Sequence, residues 1–80
     1  MKKILFIHRY GKEWECSIHL VEDGVADKAL GLFRSRMWDM AYRLVAKNDL
    51  ATQDQRLKAD WNSLDAVDVI LAHFRRGESH

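Results

Sequence analysis

Residues 13–30, EWECSIHLVEDGVADKAL, decide the fold because the hydrophobic period changes inside them, at Glu22-Asp23-Gly24. Upstream, Trp14, Cys16, Ile18 and Leu20 alternate with Glu13, Glu15, Ser17 and His19, a repeat of two that lays the apolar side chains along one face of a strand. Downstream, Ala26, Leu30, Phe33, Met37, Met40 and Leu44 recur at steps of four and three, the stripe of an α-helix. The chain reads as a hairpin followed by helices.

Working toward the N-terminus, a first strand from about Lys3 to Tyr10 faces a second from about Trp14 to Val21, with Gly11-Lys12 at the turn. Parity selects the register. A two-residue loop sets Arg9 opposite Trp14 and Lys3 opposite Leu20, bringing charge to the apolar side. A shift of one residue sets Tyr10 opposite Trp14, Phe6 opposite Ile18 and Ile4 opposite Leu20, with Arg9 and Glu15 paired on the wet face, and is the expected register. It also sets His8 across from Cys16, a thiol–imidazole pair read as a core cysteine beside a histidine and not as a catalytic dyad. Leu5 and Ile7 on the other face suggest further cover, and either strand could be an open edge.

Working toward the C-terminus, a long helix is expected from about Val25 to Lys47, with Asp23 as N-cap and Asn48 closing it. Its apolar side chains span an arc of about 220°, more than a sheet can cover. The surplus, with Trp38, Ala41, Tyr42 and Val45, needs the last helix or a second copy of the chain. Thr52-Gln53-Asp54-Gln55 fits a capping box opening a short helix from Gln53 to about Asp60. Leu64, Val67, Ile70, Leu71 and Phe74, followed by Arg75-Arg76 and Gly77, predict a C-terminal helix at about 63–76, with Glu78-Ser79-His80 fraying. The fold class expected is α+β: an N-terminal antiparallel hairpin, a long helix, a short helix and a C-terminal helix, in a single domain over residues 1–80.

Composition narrows the function. The 13 basic and 12 acidic residues leave a net charge of +1, which removes the simplest case for a nucleic-acid binder. One cysteine, Cys16, cannot form an internal disulfide, and a reducing, cytoplasmic setting is expected. The apolar run Ile4–Ile7 is too short for a signal peptide or a membrane span. Four histidines without a second cysteine give no zinc spacing, and the four isolated glycines make no phosphate loop, so no metal, no cofactor and no enzyme activity are expected.

What remains is a non-catalytic module that binds another protein by surface occupation. The long helix carries the expected contact residues: Arg36, Asp39 and Arg43 from its polar arc, Lys47 at its end, and Trp38 and Tyr42 from the surplus apolar arc. A homodimer is a further possibility. The alternative is a small nucleic-acid-binding regulator using the basic residues of that helix, although Arg34 falls on the opposite side of the wheel from Arg36 and Arg43. In format alone, an 80-residue chain with no cofactor motif and no export signal resembles accessory proteins of bacteriophages and mobile elements, such as anti-CRISPR proteins and other host-directed inhibitors. That resemblance implies an inhibitor blocking a host nucleic-acid machine by occupying its charged groove, and carries over no residue.

Overall fold

The computed structural model describes residues 1–10 and 12–75, the side chains of Tyr10, Phe74 and Arg75 excepted. Gly11 of the expected turn, the expected stop at Gly77 and the expected frayed end 78–80 lie outside the described residues. The chain forms β1 (Lys2–Tyr10), β2 (Glu13–Val21), α1 (Asp23–Arg34), α2 (Trp38–Lys47), a short α3 (Gln53–Arg56), a 3-10 turn at Leu64–Ala66 and β3 (Val69–Arg75). It is a small α+β fold with a three-stranded sheet in the order β2-β1-β3. β1 is the central strand and carries the continuous apolar run Ile4-Leu5-Phe6-Ile7, as a strand covered on both faces should.

The hairpin forms, but in the other register: Arg9 pairs with Trp14 and Lys3 with Leu20. A slip of one residue reverses every side chain of β2. Glu15, Ser17, His19 and Val21 therefore share a face with His8, Phe6, Ile4 and Lys2, and α1 and α2 lie over that face. Trp14, Cys16, Ile18 and Leu20 join Arg9, Ile7, Leu5 and Lys3 on the opposite face. The physical reason is that the sheet has no purely wet face. The connector after α2 covers one end of this second face, so Leu5 and Ile18 are buried there. Leu50 donates its amide to the Leu20 carbonyl at 2.7 Å, and the Trp61 ring sits 4.5 Å from the Lys3 ammonium. Charge at Lys3 is tolerated because it lies over an aromatic ring. His8 and Cys16 consequently lie on opposite faces, so the thiol–imidazole pair does not exist.

The expected long helix is two helices. α1 ends at Arg34, and Arg36 adopts a left-handed φ of 63°. Arg36 donates its amide to the Phe33 carbonyl at 3.0 Å and Met37 donates to Leu32 at 2.9 Å, the paired bonds of a Schellman C-cap. Glycine usually marks that position, and here an arginine fills it, so the stop was hidden. The break removes the surplus apolar arc: α1 and α2 pack on each other and on the sheet, burying Ala29, Ala41 and Val45 completely. At the other end of α1 the N-cap is Glu22, with no side-chain capping bond, and Asp23 falls in the first turn. Asn48 does close α2, its side chain donating to the Leu44 carbonyl at 2.8 Å.

The Thr52–Gln55 capping box is present in full, although the helix it opens stops at Arg56 and not near Asp60. The expected C-terminal helix is replaced by β3, parallel to β1, with Ile4 opposite Val69 and Phe6 opposite Leu71. Val69-Ile70-Leu71 is a short apolar run that suits a strand as well as a helix, and the free edge of β1 settles it. Asp68 fixes the start of the pairing by giving its amide to the Lys3 carbonyl and accepting the Lys3 amide on its carboxylate, both at 2.8 Å. No described helix is long and apolar enough to cross a membrane.

Candidate functional site: the open edge of β2 and its cleft

The edge of β2 that faces away from β1 is occupied over one half only. Leu20 turns its backbone outward: its amide donates to Asp49 Oδ1 at 3.1 Å and its carbonyl accepts from Leu50. The Ile18 carbonyl accepts from Arg56 Nη1 at 3.4 Å. Alternation in an antiparallel ladder places the backbone groups of Cys16 and Trp14 in the same outward row. No strand lies beyond β2 among the described residues, so Glu13–Ser17 forms an open edge. The two sides of that edge differ in chemistry. On the helix side it carries Glu13 and Glu15, both exposed, and on the other side Cys16, exposed, and Trp14, 57 % exposed.

Between β2 and α2 lies a cleft of about 150 Å³ lined by His8, Glu15, Ser17, Asp39 and Tyr42. The Tyr42 ring meets Phe6, His8 and His19 edge-on at 5.5, 5.4 and 5.7 Å between centroids, closing the cleft floor with aromatic surface. The two carboxylates make it acidic. Below it, Ser17 Oγ lies 2.9 Å from His19 Nε2, and His19 Nδ1 lies 2.8 Å from Asp49 Oδ2. Asp49 also accepts from the Leu20 and Ala51 amides and from Arg56. Burial opposes its charge, but these amide bonds, His19 and Arg56 prevail and hold its carboxyl below the usual carboxylate range. Among the described residues no group of three His, Cys, Asp or Glu side chains could hold a metal ion.

The six residues expected on one long helix are divided. Asp39 and Tyr42 line the cleft. Trp38, at the start of α2, stacks on His73 of β3 at 3.9 Å and 19°. Arg36 sits in the turn between α1 and α2, Arg43 is exposed on α2, and Lys47 borders a separate depression with Asn48 and Asp49. Among the described residues Asp39 forms no ion pair with Arg36 or Arg43: the helix break takes Arg36 off the helix that carries Asp39, and Arg43, at i+4 on α2, is exposed. The basic residues Arg34, Arg36, Arg43 and Lys47 likewise belong to two helices and a turn, so the wheel that related them does not apply. The sequence pattern points to no site role for Glu15, Ser17, His19 or Asp49, and it sets His8 beside Cys16 and not in this cleft. The polar alternation of β2 was the signal, but it reads as a solvated face until the register is known. Comparison with protein-family models, curated proteins and solved structures finds no match to this chain.

Proposed function

We propose that the protein is a protein-binding module that takes up an extended segment of a partner as an additional strand on the open edge of β2. The observation that carries this reading is the half-occupied edge itself. The chain already pairs with the Ile18–Leu20 half through Asp49, Leu50 and Arg56, and no described strand lies against the Glu13–Ser17 half, where Cys16 stands in the same outward row. Main-chain pairing supplies affinity, and the alternating side chains supply selectivity. Glu13, Glu15 and Asp39 favour basic residues at every second position of the incoming strand; Trp14 and Cys16 favour apolar ones between them. A second copy of the chain suits the edge poorly: antiparallel self-pairing centred on Trp14 or Glu15 sets one glutamate opposite another. Basic extended segments occur where proteins handle nucleic acid, which keeps an inhibitor of a nucleic-acid machine, of the kind phages carry, within this reading.

The test is titration of the labelled protein with two synthetic peptides, one alternating arginine with valine and one alternating glutamate with valine. The basic peptide should shift the amides of residues 13–17 and weaken with added salt, while the acidic one should not bind. Cys16→Pro should abolish binding with little effect on folding, since proline is tolerated where an edge-strand amide faces outward. Shifts confined to α2, or equal binding of the acidic peptide, would sink the strand-addition reading.

A further inference from the structure

From the row Ser17, His19 and Asp49 we infer that Ser17 is an activated nucleophile, with His19 as its general base and Asp49 orienting the imidazole. This goes beyond strand addition and stands independently of it. Two links carry it: Ser17 Oγ to His19 Nε2 at 2.9 Å, and His19 Nδ1 to Asp49 Oδ2 at 2.8 Å. Both are hydrogen-bond distances, and they run in the order nucleophile, base, orienting carboxylate. An ionised carboxylate can only accept, so the proton between Asp49 and His19 sits on Nδ1. In the neutral ring that leaves the lone pair of Nε2 directed at the Ser17 hydroxyl.

The relay is built and held. His19 is 7 % exposed and meets the Phe6 and Tyr42 rings edge-on at 6.1 and 5.7 Å, which fixes its plane. The Leu20 and Ala51 amides and Arg56 hold the Asp49 carboxylate in turn. Ser17 and His19 are two residues apart on one strand, so the ladder sets their spacing. Only Ser17 of the three lines the cleft, which it shares with Tyr42 and His8. The size of that space, about 150 Å³, suits a small acyl group, and Glu15 and Asp39 at its wall favour a neutral or cationic ester over an anionic one.

The chemistry balances without a further reagent. Ser17 Oγ bonds to the acyl carbon while its proton passes to His19 Nε2; the ester C–O bond breaks, and the departing oxygen takes that proton. Water then attacks the acyl–serine, His19 again accepting and returning the proton, and the carboxylic acid leaves. With diisopropyl fluorophosphate the first half alone occurs: an Oγ–P bond forms, the P–F bond breaks and hydrogen fluoride is released.

That probe supplies the test, read by site-resolved mass spectrometry on the folded protein. Ser35 and Ser63 in the same molecule serve as internal references. Ser17 should acquire the adduct at least about 100-fold faster than Ser35, the scale of general-base assistance. His19→Gln should remove the advantage, and Asp49→Asn should lower it at least about tenfold, each checked by circular dichroism for retained fold. Should either variant unfold, the wild-type ratio of Ser17 to Ser35 decides alone. Equal labelling of the two serines, or no labelling of Ser17, would overturn the inference while leaving the peptide titration untouched.

Discussion

Replacing Asp49 by alanine probes the joint between the sheet and the connector that covers it. The carboxylate is 9 % exposed and accepts from the Leu20 amide at 3.1 Å, the Ala51 amide at 2.9 Å, His19 at 2.8 Å and Arg56. Hydrogen bonds to a charged acceptor contribute about 1.5–3 kcal/mol each, but they do not add where the partner can return to water. Arg56, 41 % exposed, can do so, and the Ala51 amide is partly able to. The His19 ring is buried and the Leu20 amide half-buried, so the expected loss is about 3 kcal/mol. For a domain of this size, whose whole stability is roughly 4–12 kcal/mol, that is a large fraction. Urea unfolding followed by tryptophan fluorescence should show a midpoint about 2–3 M lower at a slope near 1 kcal/mol per M. The pH dependence has a definite sign. The folded-state pKa of Asp49 is lowered, so its contribution is full above the unfolded-state value of about 3.9 and is lost as pH falls through the lower folded-state value. The gap between wild type and Asp49→Ala should therefore be on the order of 3 kcal/mol at neutral pH and should close under strong acid, as the carboxylate takes up its proton. A variant within about 0.5 kcal/mol of wild type at neutral pH would refute the view that this carboxylate fastens the connector to β2.

Three further substitutions follow from the geometry. Gly31→Ala should raise stability by about 0.5–1 kcal/mol in the same urea assay, because Gly31 is exposed within α1 and an added Cβ meets nothing within 4 Å. Arg36→Gly should stabilise by about 0.5–1 kcal/mol by relieving a left-handed arginine, and an unchanged or lower midpoint would count against the strain. Phe6→Ala should cost about 3–5 kcal/mol, since Phe6 is fully buried between the His8, His19, Phe33 and Tyr42 rings; loss of the dispersed amide spectrum at 25 °C would register it.

Local signals in the chain survive into the fold wherever their partners are near in sequence. The strand over residues 13–21, the onset of helix after Glu22, the Asn48 stop and the Thr52–Gln55 capping box all appear where they were expected, because each depends on a backbone conformation and a neighbour within a few residues. The end of α1 shows the limit of such signals. A Schellman cap normally advertises itself with glycine, and Arg36 fills that position without one.

Tertiary structure decided the rest, and with it the site. Hairpin register turns on which face of β2 is worth covering, and that depends on a connector 30 residues downstream, where Asp49 reaches His19. The run at Val69–Arg75 becomes a strand because β1 has an edge to fill, a fact absent from the run itself. The alternation of Trp14, Cys16, Ile18 and Leu20 with Glu13, Glu15, Ser17 and His19 was enough to determine that β2 has two unlike faces. Only the assembled sheet determined that the polar one turns inward, because a period of two is unchanged by a slip of one residue while every side chain changes sides.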